Sequence, residues 1–317
     1  MSAAPPGLDA QVDALRHAVG AHRLLLDVVG VGGPEAAAFL QGQLSQDIEP
    51  LDVGASAPSL LLEPDGKLSA LVRVTRTAAD AYTLDTDAGS GASVLARLRR
   101  FRLRTKVDIE PLDWPCVALR GEGVAHTAPT AAPPPHALEV EWNGTRGMDL
   151  LGPGAQAAVP EGAVWCEAPA WEALRIEAGI PKMGAELDGR TIAAEAGLVE
   201  RTVSFTKGCY TGQELVARLD ARGTRVARRL CGLRAGELAP TAPHLLAGAA
   251  LWVPGGDKPV GRCTSAAWCP GVGSVAGLAY LHRSVEVPAD LEWSAPGETP
   301  GTQRHPVRAV ALPIVGG

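Results

Sequence analysis

The sequence predicts an α+β protein in which an α/β region, over residues 1–235, precedes a small C-terminal β-barrel over residues 236–317. Up to Gly236 the apolar residues recur at both helical and strand-like periods, which predicts a mixture of helices and strands. Beyond that point, short apolar runs at 250–253 and 275–281 alternate with Gly- and Pro-containing turns, a pattern typical of small barrels or sandwiches. The length of 317 residues is sufficient for two such domains.

The first hundred residues are predicted to form strands and helices in alternation. Gly33-Pro34 opens a helix, because proline suits the first helical position and apolar residues follow at helical spacing. Pro64-Asp65-Gly66 predicts a tight turn between two strands. The remaining elements predicted in this part are a polar, weakly helical lead over 1–22, strands at 24–29, 59–62 and 68–74, and a helix that Ser93 caps.

The middle of the chain is predicted to contain two more strands, two loops and one well-defined helix. The strands lie at 106–112 and 116–119, and the loop-like stretches at 125–136 and 152–162. The first loop contains four prolines, which do not fit inside regular structure. The helix, Trp171–Ala178, is followed at once by a glycine and soon by a proline, which together predict its end.

Composition and charge exclude several classes of protein. The net charge of −6 argues against a general nucleic-acid coat, which needs a basic surface overall. The N-terminus lacks the basic start and apolar run of a secretory signal, and no apolar stretch is long enough to span a bilayer. The six cysteines form no C-x-x-C pair and no zinc-like spacing, so we expect no metal site. These features predict a cytoplasmic protein with reduced thiols and no membrane association.

Residues 211–214, Thr-Gly-Gln-Glu, have the form of a capping box, with Thr211 at the cap and Glu214 three residues later. A helix from Gly212 to about Ala221 is therefore predicted. Cys209 would lie just before the positive end of that helix, two residues after Lys207, and both features favour a thiolate. A buried structural thiol in a tight turn is the alternative. No histidine is nearby to act as its base, so a papain-like nucleophile is not expected.

The segment Lys207-Gly208-Cys209-Tyr210-Thr211-Gly212-Gln213-Glu214 closely resembles the signature of YgfZ-type folate-binding proteins. These are relatives of the glycine-cleavage T-protein, an aminomethyltransferase, and of mitochondrial iron–sulfur assembly factors. Three more segments resemble elements of the family, in family order, so that the similarity runs from about residue 24 to about residue 283. They are Phe39–Asp47 (FLQGQLSQD), Pro64–Lys67 (PDGK) and Arg175–Pro181 (RIEAGIP).

The resemblance implies an aminomethyltransferase-like folate-binding domain over 1–235, followed by the C-terminal β-barrel, around a central channel. It implies tetrahydrofolate or a one-carbon derivative as cofactor. In T-protein relatives the glutamate of the R-x-E-x-G-x-P element, here Glu177, holds the pterin, and a carboxylate suits that role because it accepts two parallel hydrogen bonds. The candidate folate-binding residues are Glu177, Arg175, Tyr210, Gln213 and Glu214, and the candidate functional residues of the motif are Cys209 and Lys207.

The expected function follows from the branch of the family. T-proteins carry an aspartate on the strand after the glycine hairpin, whereas residues 66–72 here read GKLSALV and contain no carboxylate. This difference favours the YgfZ-type branch. Resemblance to that branch implies a role in the maintenance of iron–sulfur proteins and a link to tRNA modification. It implies iron–sulfur proteins or their assembly factors as partners. The alternatives are a folate-dependent aminomethyltransferase and a scaffold that has lost folate. A methylene-transfer assay distinguishes the aminomethyltransferase from the accessory protein. A measurement of folate binding distinguishes the folate-free scaffold from it.

An arginine-rich segment stands out in this acidic chain. Six arginines between Arg218 and Arg234 are accompanied by one acidic residue, Asp220. The simplest interpretation is a solvated helix end followed by the outward face of a strand. The functional alternative is an anion site, for the glutamate tail of folate or for an RNA phosphate.

Overall fold

The computed structural model describes residues 7–126, 136–221, 223, 225–236, 245–297 and 303–315. The α-helices in these ranges are α1 (Leu8–His17), α2 (Ala36–Gln43), α3 (Gly91–Phe101), α4 (Ala168–Ala178), α5 (Val199–Thr202) and α6 (Gln213–Ala221). The first ten strands are β1 (Gly20–Leu24), β2 (Leu26–Gly32), β3 (Ser56–Leu62), β4 (Leu68–Ala78), β5 (Ala81–Asp87), β6 (Asp108–Leu112), β7 (Cys116–Arg120), β8 (His136–Trp142), β9 (Thr145–Leu151) and β10 (Val164–Trp165). The strands that follow are β11 (Arg228–Ala235), β12 (Ala250–Trp252), β13 (Pro259–Cys269), β14 (Ser274–His282), β15 (Ala289–Ser294) and β16 (His305–Val310).

Strands β1 to β10 form two five-stranded sheets, in the orders β10-β1-β7-β9-β8 and β3-β4-β5-β2-β6. The strand predicted over 24–29 is wrong in one respect: it is two strands, and they belong to different sheets. Leu25 separates them and is 81% exposed. The chain therefore passes from one sheet to the other at this residue, which a continuous apolar run does not reveal.

Strands β11 to β16 form a closed barrel in the order β11-β14-β13-β12-β15-β16. The predicted α+β architecture with a C-terminal barrel is confirmed. The first barrel strand, Arg228–Ala235, lies before the proposed division at 235/236, which remains a proposal. The barrel therefore begins within the arginine-rich segment, whose later residues are predicted to form a strand.

Local chemistry explains the turn at β3–β4 and the end of α4. In β4 alternate residues from Leu68 to Val74 are buried, so one face joins the core, and the turn before it is closed by Gly66 at a φ of 79°. Helix α4 ends at Gly179, where φ is 71° and the next amide, of Ile180, donates to the carbonyl of Arg175 at 3.0 Å. The hairpin and the helix end predicted from sequence are both present.

Three predicted details differ from the structure, and one loop cannot be compared. Helix α3 begins at Gly91 after Ser90, so Ser93 lies in its first turn and is not its cap. Strand β5 is absent from the sequence-based prediction, which assigns no element to residues 75–92, although most of its threonines and aspartates are buried. The hairpin β8–β9 was also not predicted. Residues 127–135 of the predicted first loop lie outside the described residues.

Candidate functional site

A cavity of about 350 Å³ lies where strands of both sheets meet helix α4. Its volume falls within the range of small-molecule sites, about 300–1,000 Å³. Its lining includes side chains from β4 and β5 of one sheet, from β7, β8 and β9 of the other, and from α4 and α5. The charged residues of the lining are Arg73, Asp85, Asp87, Arg120, Glu139, Glu141, Asp149, Glu172, Arg175, Lys182 and Arg201.

A chain of four largely buried charges joins the two sheets in the wall of this cavity. Arg73 of β4 donates from Nε to Asp85 at 3.1 Å and from Nη1 to Asp149 of β9 at 2.6 Å. Arg120 of β7 donates to the other oxygen of Asp149 at 2.7 Å. Burial alone would raise the pKa of Asp149, but the two guanidiniums outweigh burial and lower it. These four charges neutralise one another, so their first effect is to fix the relative position of the sheets.

Two tryptophans give the cavity an aromatic wall. The rings of Trp142 and Trp171 have centroids 4.7 Å apart, and the guanidinium carbon of Arg120 lies 4.7 Å from the first ring and 5.0 Å from the second. Both tryptophans line the cavity. The two rings are inclined at 56° to each other, so they offer a ligand an angled apolar surface, with the Arg120 cation close to both rings.

Asp87, at the end of β5, presents a half-buried carboxylate with a single hydrogen-bond donor from the described part of the protein. One oxygen accepts the Met183 amide hydrogen at 2.8 Å, and among the described residues no cation forms an ion pair with it. Burial raises the pKa of Asp87, and this amide offsets the effect only in part. A half-buried carboxylate of this kind, with acceptor capacity left over, is suited to accept hydrogen bonds from a ligand.

Arg175 spreads its guanidinium between α4, the following loop and the barrel. It donates to both oxygens of Glu172, at 2.9 and 2.6 Å, to Glu186 at 2.9 Å and to Ser265 of β13 at 2.7 Å. Ser265 follows the irregularity in the β13–β14 pairing and donates to Glu186 at 2.6 Å. Arg175 lines the cavity, but its hydrogen bonds are committed to the protein, so it positions the wall.

Arg201 provides a cation that has no such commitment. It is exposed and lines the cavity next to the buried Thr202 of α5. Within the described ranges its guanidinium has neither a carboxylate nor a carbonyl partner. It is therefore available to a ligand carboxylate at the rim.

Glu177 lies outside this cavity. Its carboxylate is 2% exposed and is bound by the guanidinium of Arg16 and by the Gly271 amide at 2.8 Å. It lines a separate hollow near the end of α1, together with Asn143. Burial raises the pKa of Glu177 despite the adjacent guanidinium. The structure thus separates Glu177 from Arg175, although both belong to one sequence element and one helix.

The motif turn, residues 207–214, packs against α2 and the β3–β4 hairpin. The ammonium of Lys207 donates to three backbone carbonyls, those of Gln41 and Leu44 at 2.7 Å each and that of Gln46 at 3.0 Å. It thereby satisfies carbonyl groups at the end of α2. Burial lowers the pKa of Lys207 to about 8. All three donors of the ammonium are used within the protein, which gives this lysine a positioning role.

The remaining motif residues differ in exposure. Cys209 is exposed, whereas Tyr210 is buried beneath Lys207, with the ammonium 5.4 Å from its ring centroid. Burial raises the pKa of Tyr210 to about 12. Gln213 is half-buried and Glu214 is exposed, and helix α6 begins at the former. None of these four residues lines the central cavity in the described part of the chain.

Two glycines allow the motif turn to approach the hairpin. Gly212 has a φ of 83°, and a Cβ there would lie 2.6 Å from the Glu63 carbonyl oxygen. Gly66 faces it from the hairpin, where a Cβ would lie 2.4 Å from that of Leu215. The close approach of the two segments therefore explains why residues 66 and 212 are both glycine.

The arginines predicted as an anion site differ in their exposure and in their partners. Arg228 donates to Glu195 at 3.0 Å and its guanidinium carbon lies 4.3 Å from the Tyr280 ring centroid. Arg229 donates to the Val285 carbonyl at 2.7 Å. Arg222 lies outside the described residues, and the other three are exposed: Arg218, Arg225 and Arg234.

Comparisons with known proteins agree with this architecture. The family described as glycine cleavage T-protein C-terminal barrel domain matches residues 228–315. The solved structure of aminomethyltransferase T from Bartonella henselae shares the fold, with a TM-score of 0.80 and 21% identity over 98% of this chain and 90% of that one. The barrel by itself and the fold of the whole chain are thus both similar to glycine-cleavage T-proteins.

Two curated relatives indicate the branch. The tRNA-modifying protein YgfZ of Edwardsiella ictaluri is 27% identical over 68% of this chain and 70% of its own length. The iron–sulfur cluster assembly factor IBA57 of Mus musculus is 32% identical over 64% of this chain and 62% of its own length. These similarities support a YgfZ/IBA57-type member of the aminomethyltransferase superfamily. For two other curated relatives, the aligned region spans 66% and 30% of their lengths.

The chain has no carboxylate on β4, as its sequence indicates, but the neighbouring strand β5 supplies Asp85 and Asp87 to the cavity. Sequence reasoning missed both, and the only signal was the alternation of Tyr82, Leu84 and Thr86 with polar residues. No group of His, Cys, Asp or Glu in the described ranges has a metal-binding arrangement. None of the helices described reaches the length and apolar character that a bilayer span requires.

Proposed function

We propose that this protein is a reduced-folate-binding accessory protein that supports iron–sulfur proteins, with a link to tRNA modification. The relatives named YgfZ and IBA57 support a role in iron–sulfur cluster assembly or in tRNA-related function. The observation that carries the folate assignment is the central cavity, in which an aromatic wall, a carboxylate without an ion-pair partner in the described ranges and a free guanidinium line one space of about 350 Å³.

The residues of the cavity suit the parts of a reduced folate. Asp87 would accept hydrogen bonds from the amino group and ring N–H of the pterin, the pairing expected of a carboxylate. Trp142 and Trp171 would pack against the pterin, and Arg201 would pair with the glutamate tail at the rim. The exposed Cys209 and the anchored Lys207 lie on the motif turn, and we assign the thiol, not the lysine, the role of contacting a partner.

Calorimetric titration with tetrahydrofolate tests this proposal. Asp87→Asn should weaken binding by about 1.5–3 kcal/mol, the contribution of a hydrogen bond to a charged group. Glu177→Gln, in the same element as Arg175 but outside the cavity, is the matched control and should bind as the wild type does. A wild-type protein that takes up no tetrahydrofolate contradicts the proposal and leaves a folate-free scaffold as the function. A Glu177 variant that alone loses affinity would return the pterin site to that residue.

The second candidate function is a folate-dependent aminomethyltransferase. The carboxylates of Asp85 and Asp87 favour it, because they bring acidic groups to the cavity although β4 has none. Asp85 is engaged by Arg73, so only Asp87 could take part in proton transfer. An amine-dependent methylene-transfer assay with tetrahydrofolate distinguishes the two functions. Turnover that Asp87→Asn abolishes supports the transferase, and folate binding without turnover supports the accessory protein.

A further inference from the structure

A strongly basic surface lies away from the central cavity, at the end of α3. Between Asp87 and Asp108 the sequence contains six basic residues and no acidic one, in a chain of net charge −6. One of the six, Arg97, is buried. The other five are exposed and form what we call the α3 basic face: Arg99, Arg100, Arg102, Arg104 and Lys106.

Helix α3 and the turn after it hold the basic face in place. Arg97 is 6% exposed, with its guanidinium 3.8 Å from the Phe101 ring centroid and donating to the Leu62 carbonyl at 3.1 Å. Arg104 has a φ of 59°, a left-handed conformation that reverses the chain directly after the helix. The face is therefore displayed on an anchored helix and a tight turn.

The charges of this face are only slightly compensated. Arg99 and Arg102 donate to the backbone carbonyls of Ile109 and Val107, at 3.0 and 3.2 Å. Asp108 and Glu110 lie beside them in a surface hollow, but none of the five basic residues forms an ion pair within the described ranges. The negative end of a helix favours cations in its last turn, which explains Arg99 and Arg100. It does not explain Arg104 and Lys106, which lie beyond the helix.

The composition of the face distinguishes between classes of partner. A protein interface needs an apolar centre, and the face has one large exposed apolar residue, Leu103. One leucine is equally insufficient for stable insertion into a membrane. Interfaces with nucleic acids are more polar and far more positive, and planar guanidiniums pair well with phosphate oxygens. From these features we propose that the α3 basic face binds the phosphate backbone of RNA.

The basic face is joined to the motif turn through the same backbone. Arg97 donates to the carbonyl of Leu62, and the side chain of that residue lies against Gly212. Lys207 and Arg97 also contact the same helix end, at the Gln41 carbonyl and at the Gln43 side chain. An RNA on this face would thus lie on the part of the domain that carries the exposed Cys209. The inference concerns a second surface and does not depend on folate binding.

Anisotropy titration of labelled, unfractionated tRNA at several salt concentrations tests the inference. The triple variant Arg100→Gln, Arg104→Gln, Lys106→Gln removes three exposed charges that have no ion-pair partner. It should lower the slope of log affinity against log salt by about one per cation removed and weaken binding at least about tenfold. The matched control, Arg218→Gln, Arg225→Gln, Arg234→Gln, changes the net charge equally and should bind as the wild type does.

Three outcomes overturn the inference. They are a wild type that does not bind tRNA, an equal loss in both triple variants, and wild-type binding to poly-glutamate or to phosphatidylglycerol vesicles as tight as to tRNA. Tetrahydrofolate titration of the first triple variant verifies its folding, and should match the wild type. If the wild type binds no folate, the proposed function fails while the tRNA comparison remains decisive. If the triple variant does not fold, Arg100→Gln alone provides the same comparison with a slope change of about one.

Discussion

The guanidinium of Arg16 on α1 binds the carboxylate of Glu177 on α4, which joins two helices 161 residues apart in sequence. The carboxylate that the family resemblance assigns to the pterin therefore has a protein partner. It also accepts the amide of Gly271, where a Cβ would lie 2.1 Å from the same guanidinium. The arrangement ties the N-terminal helix to the loop between β13 and β14.

We expect Glu177→Gln to lower the free energy of unfolding by about 1–3 kcal/mol, because it removes a charge-assisted hydrogen bond to a group that stays largely buried. Tetrahydrofolate affinity should not change, since the side chain lies outside the central cavity. Urea unfolding and calorimetry measure the two effects. Unchanged stability with a loss of affinity would instead assign Glu177 to the ligand, as the resemblance implies.

Lys207→Ala should destabilise the protein by about 1–3 kcal/mol, because it leaves three carbonyl groups, in the last turn of α2 and just after it, without their donor. Lys67→Ala is the matched control. That lysine is 46% exposed and pairs with Asp65 at the surface, a contact that contributes about 0–1 kcal/mol. Equal unfolding midpoints for the two variants would show that the ammonium of Lys207 does not anchor the motif turn.

Two glycines of the same motif should respond differently to alanine. Gly212→Ala combines a φ of 83° with a Cβ placed 2.6 Å from the Glu63 carbonyl oxygen. We therefore expect it to lower the free energy of unfolding by more than about 1 kcal/mol. Gly208→Ala introduces a methyl group with nothing within 4 Å and should change stability little. Thermal unfolding of both variants provides the comparison. Similar shifts in their melting temperatures would show that the close approach to Glu63 is not the reason for glycine at position 212.

The motif and its neighbours illustrate what the sequence could predict. The hairpin at Gly66, the end of α4 at Gly179 and the barrel follow from turn chemistry and periodicity, which are local. The cavity could not be derived in this way. Asp87 on β5 and Trp142 on β8 are brought together by the packing of two sheets, and neither lies near the motif in sequence. Resemblance identified the fold, but the direction of the Glu177 side chain depends on Arg16, to which no motif points.

Binding of tetrahydrofolate should weaken on acidification. Protonation of Asp87 removes its acceptor capacity, so affinity falls as the pH decreases through the pKa of this carboxyl. Burial raises that pKa, so the loss begins at a higher pH than for an ordinary aspartate, with its pKa of about 3.9. The affinities of the wild type and of Asp87→Asn should be compared at each pH. Protonation of the ligand affects both proteins equally, so the difference between the two affinities reports the titration of Asp87 alone. Asp52→Asn, at an exposed position, is the control. A difference that does not vary with pH would exclude Asp87 as the acceptor.

Cys209 should be the first of the six thiols to react with iodoacetamide near neutral pH. It is exposed, whereas the other five are buried. Burial raises the pKa of those five thiols, to about 12 for Cys263, so few thiolates form there. Access thus supports the prediction more than charge does, because the ammonium of Lys207 is directed to the carbonyls of α2. Peptide mapping after brief labelling measures the relative rates, and Cys231 is a suitable buried reference.

Cys209→Ser should leave the unfolding midpoint unchanged and, if the thiol contacts a partner, should lower iron–sulfur enzyme activity in cells that depend on this protein. Labelling of Cys209 no faster than that of Cys231 would assign the motif cysteine a structural role.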